Sequence, residues 1–177
     1  MRLGDQVLRP GLGFGIAPLP LQTGTREAHL ALERKIAAFK HSEAALLFPS
    51  GWHCNAAVLA ALLKAAPDAL LLSDRLNHAS LHAGAAGHRQ LRFRHNDLDH
   101  LEALLAAHSD HAGPRLIVTE SVFSMDGDRI DLARLTAIAR AHDAFLYLDE
   151  AHATGVLGPE GRGLSAALPG SVDLVMG

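Results

Sequence analysis

Short apolar runs alternate with stretches of helical period along most of the chain. The runs fall at 44–48, 69–73, 90–94, 115–119, 144–148 and 172–176. Each is short, bounded by polar or turn residues, and predicts a buried strand. Helical stretches fall at 52–64, 79–86, 97–107 and 131–142. An earlier helix opens near Thr25, which can cap it with Glu27 in the first turn, while Leu32, Ile36 and Phe39 recur on one face. Asn96 or Asp97 can cap the stretch in which Leu98, Leu101, Leu104 and Leu105 face a core. Asp131 can cap the one carrying Leu132, Leu135 and Ile138. The 52–64 stretch is apolar nearly all round, which predicts burial. Strand followed by helix, repeated, predicts a three-layer α/β/α arrangement with a mostly parallel sheet of about six strands. Residues 1–24 are rich in Gly and Pro without a period and predict an irregular arm ahead of a domain spanning 25–177.

Composition narrows this picture. The chain has 177 residues, 49% apolar and 20% charged, which suits one folded domain. Sixteen Lys and Arg against nineteen Asp and Glu give a net charge of −3, with no basic stripe for a nucleic acid. The single cysteine, Cys54, excludes an internal disulfide and suits a reducing compartment. The run at 56–63 stops at Lys64, short of the ~18–20 residues of a membrane span. Asp5 interrupts the place where a signal peptide would build its apolar core. The expectation is a cytoplasmic protein with neither membrane nor nucleic-acid partner. Lysine is scarce: only Lys35, Lys40 and Lys64 occur, against thirteen Arg.

In open α/β sheets, ligands bind at the carboxyl ends of strands. Four polar loops follow predicted strands here: PSGWHCN (49–55), DRLNHAS (74–80), ESVFSMDGD (120–128) and DEAHATG (149–155). All four would open on one edge of the sheet. Ser50-Gly51-Trp52 precedes a helix, so it is either a plain turn or an anion cradle of free N–H groups. No Gly-Lys pair exists, which excludes a P-loop. Without a P-loop, an acidic box for Mg²⁺ at Asp149-Glu150-Ala151-His152 has no partner. Asp149 then either caps local backbone or sits as a buried carboxylate beneath a cationic ring nitrogen. His78 opens a helix and can bond backbone or stack on an aromatic ring. Ser124 lies with Glu120 and Asp126, and either shapes the turn or orients a ligand oxygen. His108 and His111 have no Cys partner and no HExxH, so no metal site is expected. GLGFG at 11–15 does not complete GxGxxG, since residue 16 is Ile, which removes a dinucleotide fingerprint.

Together GTREAHLALE, SGWxxN, DRLNHAS, TESVFSMDGD and LDEAHATGVLGPEGRG resemble the α-oxoamine synthases, from about Thr23 to Gly177 and in the family's order. That family uses pyridoxal 5′-phosphate (PLP) on the aspartate-aminotransferase fold to condense an amino acid with an acyl-CoA thioester. The resemblance implies an α/β large domain that is incomplete here and homodimers in the intact enzyme. It also implies roles for residues. Gly51 and Trp52 match the loop near the cofactor phosphate, and His78 the histidine stacked on the pyridine ring. Asp149 matches the acid bound to the pyridinium nitrogen, and Ser124 and His152 match cofactor contacts, with His152 near the phenolic oxygen. DEAHATGVLGPEGRG with TESVFSMDGD most resembles the branch that joins L-alanine to a pimeloyl thioester in biotin synthesis. The glycine-using branches are the alternative.

The resemblance has two departures. The family's Schiff-base lysine lies in a Ser/Thr-x-x-Lys segment beyond the strand ending here at Gly177, and none of Lys35, Lys40 and Lys64 follows a strand on the active edge. The stretch before GTREAH lacks the family's usual serine and arginine. The expectation is therefore the front part of an enzyme without its small C-terminal domain and inactive alone. A non-catalytic dimerisation module is the alternative from another class.

Overall fold

The computed structural model describes residues 26–177. The predicted arm, Thr25 and GLGFG lie outside them. Helix α1 (Glu27–Lys40) comes first, then α2 (Gly51–Ala65), β1 (Leu70–Asp74), α3 (Ala79–Gly84) and β2 (Gln90–Phe93). Next are α4 (Leu98–Ala107), β3 (Arg115–Glu120), α5 (Leu132–Ala141) and β4 (Ala144–Asp149). Two 3₁₀ turns, Pro159–Gly161 and Leu164–Ala167, lead to β5 (Leu174–Met176).

The strands form one parallel sheet in the order β2-β1-β3-β4-β5. Side chains alternate across it. Leu72, Ile117, Leu146 and Leu148 pack one face against Leu98, Leu101 and Leu105 of α4 and Leu132, Leu135 and Ile138 of α5. Leu71, Leu116, Val118 and Tyr147 pack the other against Leu59 and Leu63 of α2 and Leu81 of α3. The result is the expected three-layer sandwich. The chain reverses its direction of travel across the sheet between β1 and β3, and such a switch point opens a crevice at the strands' carboxyl ends.

Local chemistry accounts for the helix starts. Asp97 accepts a hydrogen bond from the His100 N–H at 2.8 Å and Asp131 one from Arg134 at 3.0 Å, so both act as N-caps. Ser50 does the same for His53 at 3.2 Å. Strands β1, β3 and β4 each run one residue past the predicted apolar run. Asp74, Glu120 and Asp149 are thus strand-terminal residues rather than loop residues.

Three sequence expectations need correction. Residues 44–48 form no strand, so the described sheet has five strands rather than six. The Leu47 N–H bonds the Glu33 carboxylate at 3.1 Å instead of a ladder partner, and Leu46 is 75% exposed. A strand without a neighbour has nothing to satisfy its backbone. Helix α2 is buried only along Asn55, Leu59 and Leu63, and its far side is open to solvent. Helix α1 buries only Ala37, leaving Leu32 and Phe39 exposed. No helix of the described residues is long and apolar enough to cross a membrane.

Glycine is required where α3 meets α2. A Cβ on Gly84 would lie 2.9 Å from the Asn55 carbonyl, 3.0 Å from that of Ala56 and 3.0 Å from Leu59 Cβ. Alanine ordinarily favours a helix by ~0.5–1 kcal/mol. Here the clash is with backbone, which has nowhere to yield. Gly84→Ala is expected to lower stability by about 1–3 kcal/mol, read as a fall in the urea midpoint at constant m-value. An unchanged or raised midpoint would show that α3 can move.

Candidate active site

The site is built on the face of the sheet that carries Tyr147 and Val118. Glu120 ends β3 and Asp149 ends β4, directly opposite each other in register. Both are buried, at 2% and 4% exposure. Among the described residues neither forms an ion pair with a lysine or arginine.

Asp149 is held rigidly. Its Oδ2 accepts from Asn55 Nδ2 at 2.7 Å and its Oδ1 from the Ala151 N–H at 2.9 Å. Asn55 also donates to Ser80 Oγ at 2.9 Å and accepts from the Tyr147 hydroxyl at 2.8 Å. Both amide hydrogens of Asn55 are therefore used, and its oxygen is oriented by a donor. Ser80 Oγ lies 2.7 Å from His78 Nδ1, and the Ser80 N–H donates to the same nitrogen at 3.3 Å. A backbone N–H can only donate, so Nδ1 is the acceptor and the ring proton sits on Nε2. Tyr147, Asn55, Ser80 and His78 form one directed chain of hydrogen bonds from the core to the mouth of the crevice.

Burial and proximity shape the acids. Burial pushes the Glu120 carboxyl up to about 7, Asp149's charge adds to this, and the His78 N–H, which donates to Glu120 Oε1 at 2.6 Å, opposes it. Burial also raises Asp149, against the Ala151 N–H, the Asn55 amide and the nearby His78 and His152. The Tyr147 phenol and the Cys54 thiol are both raised by burial, so both keep their protons.

Of the residues singled out from the sequence, Gly51, Trp52, His78 and Asp149 gather here. Trp52 meets His78 edge-on at 5.9 Å between ring centroids. The Gly51 and Trp52 N–H groups, in the first turn of α2, have no acceptor among the described residues. His152 is exposed in the turn after β4 and near enough to Asp149 to affect it electrostatically. Ser124 is exposed in the loop after β3 and bonds none of the others. The sequence reading assigned no role to Asn55, Ser80, Tyr147 or Glu120. A signal existed for two of them. Asn55 is the polar member of the buried stripe Asn55-Leu59-Leu63, and Tyr147 is the only tyrosine of the chain, set in a buried strand.

Two outcomes test these energetics. The unfolded Glu120 carboxyl ionises near 4.5 and the folded one near 7. Between those values the native state holds a proton that the unfolded state has lost, so stability falls as pH rises through this window and is flat above it. Glu120→Gln removes that dependence. It should gain about 1–3 kcal/mol over the parent at pH 8 and almost nothing at pH 4.5, in paired urea titrations. Asn55→Leu strands Asp149 and the Tyr147 hydroxyl, and should cost about 2–4 kcal/mol. A loss below 1 kcal/mol would mean that water replaces the amide.

Comparison with known proteins places this arrangement. The aminotransferase class I and II family matches residues 19–176. The 8-amino-7-oxononanoate synthase of Gluconacetobacter diazotrophicus is 59% identical over 180 residues, covering 98% of this chain and 44% of that protein. A serine palmitoyltransferase structure with PLP superposes with a TM-score of 0.81 at 32% identity, over 88% of this chain and 39% of that one. The crystal structure of 8-amino-7-oxononanoate synthase from Francisella tularensis gives 0.68 at 28% identity, over 85% and 41%. The chain spans less than half the length of the relatives it matches. With a five-stranded parallel sheet, a switch-point crevice and an unpaired acid at the end of β4, the chain belongs to the aminotransferase class I and II family and is kin to its α-oxoamine synthases.

Proposed function

We propose that this chain provides the cofactor-facing part of a PLP-dependent C-acyltransferase. The reaction is condensation of L-alanine with a pimeloyl thioester, with loss of CO₂, to give 8-amino-7-oxononanoate for biotin synthesis. The observation that carries this reading is Asp149: a buried carboxylate, fixed by two donors, beside a second buried acid and, among the described residues, without a lysine or arginine partner. As an anion such a group is favoured by a cation opposite it, and a protonated ring nitrogen is one. When bound, PLP supplies an electron-withdrawing ring for chemistry at the amino acid's α-carbon.

The residues then divide the work. Asp149 would hold the proton on the ring nitrogen. Glu120 braces the His78 backbone and keeps the site's negative charge down by staying partly protonated near neutrality. His78, oriented through Ser80, offers a flat face to the ring. The N–H groups of Gly51 and Trp52 receive the phosphate at the start of α2. Ser124 and His152 would contact the cofactor, His152 near its phenolic oxygen. The domain reading of 25–177 as part of a PLP-binding large domain belongs to the same proposal, as does a homodimer with amino acid and acyl thioester as its small-molecule partners.

None of the chain's lysines is placed for covalent capture of the cofactor. The Lys40 amine donates to Glu150 Oε2 at 2.8 Å, Thr154 Oγ1 at 3.1 Å and the Arg162 carbonyl at 2.6 Å. Lys35 and Lys64 are exposed on helices.

Trp52 is the only tryptophan, so its fluorescence reports the crevice. PLP should quench it saturably, with inorganic phosphate competing. Asp149→Asn should weaken the interaction about tenfold or more, the loss expected when a charged partner is removed. Borohydride reduction should leave no pyridoxyl group on Lys35, Lys40 or Lys64 by mass spectrometry. Quenching that ignores Asp149→Asn, or a stoichiometric adduct on one of these lysines, would overturn the assignment.

A further inference from the structure

A second polar cluster lies at the same strand ends but on the opposite face of the sheet. Asp74 ends β1 and is fully buried. Ser73 beside it lies on the α2 side, so alternation turns Asp74 toward the α4 side, with Leu72. There His95, from the β2–α4 loop, bridges two carboxylates. Its Nδ1 lies 3.0 Å from Asp74 Oδ1 and its Nε2 2.8 Å from Asp128 Oδ2. Asp128 belongs to the SMDGD loop that carries Ser124. The Phe123 ring of that loop stands edge-on to the imidazole at 4.4 Å.

We propose that His95 is a doubly charge-paired latch, an imidazolium that fixes the 121–130 loop and thereby positions Ser124, and that loss of its proton releases the loop. The placing of Ser124 for a ligand rests on the function proposed above; the latch itself does not.

The argument is one of donors and acceptors. A neutral imidazole has one N–H, and two carboxylates here face two ring nitrogens. Asp74 is already satisfied as an anion, because Oδ1 accepts from the Leu76 N–H at 2.8 Å and Oδ2 from the Asn96 N–H at 2.9 Å. Asp128 Oδ2 accepts from the Asn96 side-chain amide as well as facing His95 Nε2, so that oxygen already serves as an acceptor. The missing proton belongs on the ring. Among the described residues, neither Asp74 nor Asp128 pairs with a lysine or arginine. The groups facing His95 are Asp74 from β1, Glu120 from β3, and Asp126 and Asp128 from the loop, with Arg94 and Asp97 on its own segment. The carboxylates outweigh burial and raise the affinity of His95 for its proton. A histidine raised in this way stabilises the fold at low pH and loses that contribution as pH climbs past its folded value.

Deprotonation leaves one arm unbonded. Asp74 is buried and keeps its backbone donors, whereas Asp128 can turn to water. The weaker arm is therefore the one that holds the loop. The amides of Phe123, Gly127 and Ile130, bonded to Asp128, Phe123 and Ser121 carbonyls, report its closure.

The test uses the 177-residue chain without added ligand. Long-range ¹H–¹⁵N spectra read the His95 ring nitrogens from pH 5 to 10, and hydrogen exchange, corrected for intrinsic rates, reads the three amides. Both ring nitrogens should remain protonated at pH 7.5, and loop protection should fall at least severalfold as His95 titrates. In His95→Gln the protection should be low and independent of pH. Asp128→Asn, at a partly exposed position, should leave the core amides protected while lowering the His95 midpoint and the loop's protection. A single protonated ring nitrogen at pH 7, or equal loop protection in parent and Asp128→Asn at every pH, would overturn the latch. Should the latch hold while PLP fails to quench Trp52, the proposed function falls and the latch stands.

Discussion

Carboxylates at the ends of parallel strands are the constraint around which this molecule is arranged. The ladder puts Glu120 opposite Asp149 in strict register, and both lie almost wholly out of water. Two like charges in such a place are unstable unless protons, donors or a cation answer them. The fold supplies donors: Asn55 and the Ala151 N–H for Asp149, and the His78 N–H for Glu120. It supplies no lysine or arginine among the described residues.

The next acid along, Glu150, shows the opposite solution. It is fully buried, yet Lys40 meets it at 2.8 Å, and Ser165 donates both its N–H and its hydroxyl. Lys40 also takes the Arg162 carbonyl, so α1, the turn after β4 and the glycine-rich loop are tied at one point. Gly163, at φ 93°, lies against the Glu150 carboxylate where any Cβ would collide with it. A buried ion pair adds little net stability against an apolar alternative. Its effect here is geometric: it ties α1 and the loop after β4 to the residue next to Asp149. Neighbouring acids in one tetrapeptide thus have different surroundings: Glu150 meets a lysine, whereas Asp149 meets only neutral hydrogen-bond donors directly.

Sidedness explains how the two polar clusters coexist. Odd and even positions of each strand face different helical layers, so Asp74 is addressed by His95 and the Asn96 N–H, while Asp149 is addressed by Asn55 and Glu120 by the His78 N–H. Both clusters sit at carboxyl ends, where free backbone groups and loops provide donors.

Much of this was legible in the order of residues. Periodicity and capping residues located α4 and α5, with Asp97 and Asp131 at their starts. The apolar runs located all five strands; the inner strands β1, β3 and β4 are buried on both faces and so are apolar over most of their length, while the edge strand β2 keeps Arg92 exposed. Polar loops after those runs pointed to one edge, and Gly51, Trp52, His78 and Asp149 do meet there. Tertiary structure alone decided the rest. Residues 44–48 have strand-like composition but no neighbour, and composition cannot supply one. Helix α2 is apolar all round, yet only the stripe facing the sheet is covered. Asn55 with Asp149, Lys40 with Glu150, and His95 with Asp74 and Asp128 join residues 21 to 110 positions apart. Local pattern records which side chains can be buried. Which polar group answers which depends on strand order and on the face each residue takes, and those exist only once the sheet has assembled.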